Sequence, residues 1–337
     1  MASGGVDGGA AGREGADRRW MAAALALSER GRGRTAPNPN VGCLIVREGV
    51  VVGRGWTQPG GRPHAEAMAL AEAGAAARGA TVFVTLEPCA HVSPRGPACA
   101  DLLAAAGPAR VVAALTDPDP RTAGAGFARL RAAGIGVTIG IGADQAARTM
   151  AGFLQRRYQG RAEVTLKLAT SLDGCIALAS GESRWITGAE ARAHAHLERT
   201  RAEAICIGGG TLRADAPRLD VRLPGLEARA PRRLLLARTP ADLPAGWTWV
   251  ESPRAAAALA GVDHLLVEGG AGAAAAFLAE DLVDRLLLYR APLLIGAGRA
   301  ALGGIGLAGL DAAHGRWRLL DARGLGVDRL ELYERRR

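Results

Sequence analysis

From residue 41 onward, short apolar runs rich in β-branched residues alternate with Ala-rich stretches of helical spacing, and the alternation starts afresh at residue 164. Strand-like and helix-like segments in this order confine the chain to α/β units whose sheets are covered by helices. A helix is expected over 20–30, then a Gly/Pro-rich loop over 31–40 and a hairpin of 41–46 and 50–52 turning at Glu48-Gly49. Helix 64–77, strand 81–86, helix 99–106, strand 110–115, helix 126–133 and strand 137–139 follow. The second half is expected to hold strands over 164–170, 204–208, 232–237, 264–270 and 285–296. Helices are expected over 189–201 and 271–280, and a loop over 208–217.

A chain of 337 residues, at roughly 100–200 per domain, divides into two. The expected division is a flexible leader over 1–16, a first domain over 17–159 and a second over 160–337. The leader carries Asp7, Glu14 and Asp17 and no apolar segment, unlike a secretory signal. A long uncharged apolar run is also missing, so a cytoplasmic protein with no membrane span is expected. The net charge of +9 raises a nucleic-acid reading. All basic residues but Lys167 are arginines spread over both halves, which fits a solvated basic surface better. No nucleic-acid partner is expected, and homo-oligomer formation is left open. Of five cysteines, Cys43, Cys175 and Cys206 lie in strand-like runs and read as buried hydrophobes, unlike Cys89 and Cys99.

His64-Ala65-Glu66 is followed, one strand later, by Glu87-Pro88-Cys89 and then Cys99. One imidazole and two thiolates suit tetrahedral Zn²⁺ with its fourth position open to water. Zinc lowers the pKa of such a water towards about 7. Glu66, two residues from His64 at a helix start, is placed to take the water's proton and hand it to a leaving group. Cys99 opens an expected helix, where the peptide dipoles favour thiolate over thiol. A closed structural site would need a fourth protein ligand, for which His91 is the candidate.

The motifs PNPNVG (37–42), HAE (64–66) and EPCAH…C (87–99), in this order on an α/β frame, resemble the zinc-dependent deaminase superfamily. Nine residues separate the cysteines, and the EPCAH run is similar to the riboflavin-biosynthesis deaminases. Those commonly read EPCSHxGxTPPC; this chain is one residue longer and lacks the Thr-Pro-Pro. The resemblance implies a three-layer α/β/α cytidine-deaminase-like domain, zinc held by His64, Cys89 and Cys99, and Glu66 as the proton carrier. It places Asn38 and Asn40 in the motif that reads a ring edge, with Asn38 the substrate-binding candidate and Arg95 a candidate phosphate or base contact.

LKLATSLDG (166–174), SGESRWIT (180–187), GGGTLRADAPRLDVR (208–222) and VEGGAG (267–272) are together similar to the reductase domain fused to that deaminase, a dihydrofolate-reductase-like α/β fold. No complete GxGxxG or P-loop occurs. The resemblance implies NADPH contacts from Ala169, Trp185, Thr211, Asp215 and the turn Gly270, Ala271, Gly272, Ala273, Ala274, Ala275 and Ala276. It implies substrate contacts from Ser183, Arg199, Leu219, Arg222 and Glu268, and charge or proton assistance from Lys167 and Asp215. His194, His196, His264 and His314 read as ordinary surface or core residues. The whole implies a bifunctional enzyme using Zn²⁺ and NADPH on a small ribosyl-phosphate pyrimidine, 2,5-diamino-6-ribosylamino-4(3H)-pyrimidinone 5′-phosphate. Deamination would precede reduction of the ribosyl group to ribityl. The alternatives are a nucleic-acid or nucleoside zinc deaminase with an accessory C-terminal domain, and a non-catalytic protein with structural zinc.

Overall fold

The computed structural model describes residues 7–91, 93–239 and 243–337. The chain falls into two compact units that part between Tyr158 and Gln159. The first runs α1 (Asp7–Ser28), β1 (Gly42–Arg47), β2 (Val50–Trp56), α2 (Ala65–Ala73), β3 (Thr81–Val84), α3 (Cys99–Ala106), β4 (Arg110–Ala113), α4 (Ala125–Ala132), β5 (Gly136–Ile139), α5 (Ala143–Thr149) and α6 (Ala151–Gln159). Its sheet is ordered β2-β1-β3-β4-β5, antiparallel as far as β3 and parallel beyond. The β1–β2 turn has positive φ at both Glu48 and Gly49, the geometry that matches a hairpin's twist.

Helices cover both faces of this sheet. Cys43, Leu44, Ile45 and Val46 of β1 are all buried, as befits a strand shielded on both sides. The helices come close because glycine faces them. A Cβ on Gly42 would lie 1.9 Å from the Ala24 carbonyl oxygen in α1, and one on Gly55 would lie 2.0 Å from that of Ala65 in α2.

The expected leader over 1–16 is corrected for residues 7–16, which are helical; residues 1–6 lie outside the described ones. Arg18 bonds Glu14 one turn back, and buried Asp17 pairs with Arg110 of β4, which fastens α1 to the sheet. Helices α5 and α6 were not anticipated.

The second unit runs β6 (Glu163–Thr170), β7 (Cys175–Ala177), α7 (Ala189–Arg199), β8 (Ala204–Gly208), α8 (Gly209–Asp215), β9 (Arg232–Leu236), β10 (Trp247–Val250), α9 (Pro253–Ala258), β11 (His264–Val267), α10 (Ala271–Ala279), β12 (Arg285–Arg290), β13 (Arg299–Ala300), β14 (Trp317–Leu325) and β15 (Asp328–Arg335). Eight strands form the order β10-β9-β8-β11-β6-β12-β15-β14, parallel as far as β12 and closed by the antiparallel β15 and β14; β7 and β13 pair separately. Val164, Leu166, Cys206, Leu265, Val267 and Phe277 lie at the heart of its core.

Three expectations change here. Residues 209–215, expected as loop, form α8, in which Leu212, Arg213 and Ala214 are helix formers behind two glycines. The strand expected to reach residue 296 stops at Arg290, two residues before Pro292, which has no N–H for the ladder. The β14–β15 hairpin was not anticipated. No described helix is long and apolar enough to cross a membrane.

Candidate active sites

The first site lies beyond the carboxyl ends of the parallel strands, the usual place for ligands in an open α/β sheet. His64 is the N-cap residue of α2, Glu66 lies in its first turn, Cys89 follows β3, and Cys99 is the first residue of α3. His64 Nδ1 is 3.6 Å from Cys89 Sγ and 3.4 Å from Cys99 Sγ. A tetrahedral ion with Zn–N near 2.1 Å and Zn–S near 2.3 Å separates nitrogen from sulfur by roughly 3.6 Å, so this donor set fits zinc without rearrangement. Among the described residues these three form the one metal-competent group. His91, the candidate fourth ligand, instead has Nδ1 3.3 Å from Thr122 Oγ1, and the closed-site reading falls.

Electrostatics at the site follow from burial and from the paired sulfurs. Hydrogen bonding from Cys99 holds the Cys89 thiol down to about 4, helped by His64 and by the Cys99 backbone N–H donating to Cys89 Sγ at 3.3 Å. That thiolate in turn pushes Cys99 well above the ordinary thiol range. The α3 amino end therefore favours the thiolate on Cys89, whereas Cys99, its own first residue, was expected to gain it. Glu66 is buried beside the ligand set, with its side chain hydrogen-bonded to that of Cys99. Burial raises its carboxyl to about 7, against the lowering effect of His64, so it can both take and give a proton near neutrality.

The cavity beside these groups has a volume of about 90 Å³. Asn38 lines it, with Nδ2 donating to the Gly61 carbonyl at 3.0 Å and lying 3.1 Å from His64 Nε2. Asn40 does not reach it. Its side chain is buried and donates to the Ser28 and Thr149 carbonyls, a structural tie. Arg95 donates to the Gly60 carbonyl at 2.7 Å and is not part of the cavity wall; Val92 lies outside the described residues.

Sequence reasoning missed the opposite wall: Asp117, Asp119 and Arg121 after β4, and Arg157 from α6. Asp119 holds both guanidinium groups, and Arg121 keeps its carboxyl below the usual range. The signal was present in the DPDP run at a strand's carboxyl end, read only as a break. Glu87 was also passed over. Its carboxylate accepts four backbone N–H groups, from Asp117 (3.2 Å), Gly124 (2.9 Å), Gly126 (3.0 Å) and Phe127 (3.2 Å), and so fastens that wall to the segment bearing Cys89.

The second unit holds a cavity of about 1040 Å³. It gathers Lys167, Ala169, Ser183, Trp185, Arg199, Thr211, Asp215, Leu219, Arg222, Glu268, Gly270 and Ala271 from the expected set. Arg199 grips Glu268 with two hydrogen bonds of 2.7 and 2.9 Å, and Lys167 Nζ lies 3.9 Å from the same carboxylate. Although burial alone would raise Glu268, Arg199 holds it below its ordinary value. Gly272, Ala273, Ala274, Ala275 and Ala276 do not line the cavity. Ala273, Ala274 and Ala275 are buried in the body of α10. A Cβ on Gly269 would lie 2.5 Å from the Ala273 methyl, so this glycine serves close packing. The Gly270 N–H already donates to Thr211 Oγ1 at 2.9 Å. His196, taken as an ordinary residue, does line the cavity, as do Arg192, Arg218 and Arg299.

Residues 15–115 match the family model described as the cytidine and deoxycytidylate deaminase zinc-binding region, and residues 162–329 match the RibD C-terminal domain. The riboflavin biosynthesis protein RibD of Escherichia coli is 40% identical, the alignment covering 83% of this chain and 89% of that protein. RibD of Mycobacterium tuberculosis is 37% identical over 92% and 95%. The solved structure of Acinetobacter baumannii RibD superposes with a TM-score of 0.83 at 36% identity, covering 96% of this chain and all of that one. A diaminohydroxyphosphoribosylaminopyrimidine deaminase/5-amino-6-(5-phosphoribosylamino)uracil reductase from Thermotoga maritima gives 0.83 at 27% identity, with 96% and 99% covered.

Proposed function

The chain belongs to the RibD family of riboflavin biosynthesis, bifunctional enzymes that join a zinc-dependent deaminase to an NADPH-dependent reductase, and from that premise we propose how its own residues divide the work. Residues 17–159 carry the deaminase and residues 160–337 the reductase. The substrate is the diaminopyrimidinone ribosyl phosphate, deaminated first and then reduced to 5-amino-6-ribitylaminouracil 5′-phosphate. The enzyme works in the cytoplasm without nucleic-acid or membrane partners.

His64, Cys89 and Cys99 hold zinc, which when bound brings a water molecule's pKa towards about 7. Glu66 takes the proton from the attacking water and delivers it to the amino nitrogen, so that the C–N bond breaks as ammonia leaves and the ring carbon keeps the oxygen. A buried carboxyl poised near 7 suits both halves of that transfer. Asn38, whose amide lies beside His64, reads the ring edge.

NADPH supplies the hydride for the second reaction. Thr211, Asp215, Trp185, Ala169 and the Gly270-Ala271 turn hold the cofactor. Arg199 and Arg222 receive the ribosyl phosphate, with Glu268 fixing Arg199 and Ser183 and Leu219 completing the wall. Lys167, close to Glu268, keeps positive charge beside the reacting chain.

The observation that carries this reading is the zinc-shaped triad with Glu66 buried beside it. Glu66→Gln should retain zinc, lower ammonia release by about 10²–10⁴, and leave NADPH oxidation with the deaminated substrate unchanged. Equal ammonia release from variant and wild type would refute the assignment.

A further inference from the structure

The segment before α7 and the first turn of that helix build a stacked pair in the wall of the second unit's cavity. Arg192 sets its guanidinium 4.6 Å from the centre of the Trp185 ring and donates to the Thr187 carbonyl. A guanidinium within about 6 Å of an indole face is held there by the ring's quadrupole. Both residues line the cavity, and Trp185, a large apolar side chain, is 63% exposed. One face of the indole is therefore covered by a cation, and the other is open to a flat ring.

The neighbouring charge is disposed differently. Arg184 donates to the Asp215 carbonyl at 3.0 Å and lies 3.6 Å from the Asp215 carboxylate, which offsets it. The Thr187 carbonyl is neutral, so it leaves the charge over the indole whole.

Ser183 and Trp185 stand two residues apart on this segment, the first read as a substrate contact and the second as a cofactor contact. Hydride passes directly from one molecule to the other, so the part of the cofactor that meets the substrate is its nicotinamide. A cavity of about 1040 Å³ is large for one small ligand, and an exposed indole in its wall suits such a ring.

We propose that the nicotinamide stacks on the open face of Trp185, and that Arg192 behind the indole makes this platform select the reduced cofactor over the oxidised one. This rests on the reading of Trp185 as a cofactor contact. The dihydronicotinamide ring is neutral and electron-rich, and once it has given up hydride it carries a positive charge. A stacked ring lies roughly 3.5 Å from the indole, which puts that charge about 8 Å from the guanidinium. Repulsion over this distance amounts to a factor of about two in a water-like surround and about thirty in a protein-like one. Arg192 thereby favours entry of NADPH and departure of NADP⁺.

Calorimetry on the full chain, without substrate and at low ionic strength, gives the Kd of NADPH and of NADP⁺. The two share every phosphate, so a guanidinium that grips phosphate, or a side chain that only supports the fold, moves both constants together. A charge behind the nicotinamide moves their ratio. Arg192→Met should lower the ratio of the NADP⁺ Kd to the NADPH Kd by about two- to thirtyfold. Arg192→Lys, which keeps a cation over the ring, should hold most of that ratio. An unchanged ratio in Arg192→Met, or a lysine variant as low as methionine, overturns the proposal. Wild-type protein that binds NADPH no tighter than NADP⁺ overturns it without any variant. Trp185→Leu should weaken both forms of the cofactor; if it weakens neither, Trp185 is not a cofactor contact, and that reading falls together with the proposal.

Discussion

Glu87→Gln exchanges one acceptor oxygen for an NH₂ group in a place where four backbone N–H groups converge. One carboxylate oxygen serves Gly126 and Phe127 and the other serves Asp117 and Gly124. Whichever way the amide turns, two N–H groups lose their acceptor and face a donor. At roughly 1–3 kcal/mol for each buried N–H left unpaired, the range is about 2–6 kcal/mol. Gly124 is only partly buried, so turning the NH₂ toward Gly124 and Asp117 lets water recover part of the loss. The expected destabilisation is then about 2–4 kcal/mol, a large share of the roughly 5–15 kcal/mol that holds a domain together.

Urea unfolding of the first unit should shift by about 1–2 M at a slope near 2 kcal/mol per M. Because Cys89 is two residues away on the same segment, zinc should also pass to a competing chelator more readily. Glu87→Ala, which strips the acceptor from all four N–H groups, should be worse than Gln. Unfolding of Glu87→Gln within about 0.2 M of wild type, or a Gln variant as weak as Ala, would refute the assignment of this carboxylate to the loop amides.

Two further substitutions probe the first unit. Gly55→Ala places a methyl 2.0 Å from the Ala65 carbonyl oxygen at the start of α2. It should cost about 1–3 kcal/mol and move His64 and Glu66 enough to lower the deaminase kcat by an order of magnitude, with NADPH oxidation as the unaffected reference. Asp119→Asn removes a carboxyl that the Arg121 bond keeps below its ordinary range. A lowered folded-state value adds stability above the unfolded carboxyl's pKa, near 4, and loses it as pH falls further. The stability gap between wild type and Asp119→Asn should therefore be full at pH 5–7 and start to narrow only as pH falls below about 4, as read by denaturant titration at each pH.

What the sequence by itself determined was chemistry carried by short spacing. His64, Glu66, Cys89 and Cys99 were legible because metal ligation and its proton carrier demand particular residue types at the ends of local elements, and the fold brings His64, Cys89 and Cys99 into a triad that fits zinc. The Glu48-Gly49 turn, α3 and the strand–helix alternation were legible for the same reason, since hydrophobic period and turn chemistry are properties of neighbouring residues.

Tertiary packing decided the walls of both cavities. Arg157 meets Asp119 across 38 residues, Glu87 fastens amides 30 to 40 residues away, and the Asp220 carbonyl meets His196 from 24 residues on. No local pattern encodes those meetings. The same physics sent Ala273, Ala274 and Ala275 into the core while Gly270 and Ala271, in the same glycine-rich run, reached the cavity: on a helix, side chains a few residues apart point in different directions, and only the packed sheet decides which of them faces inward.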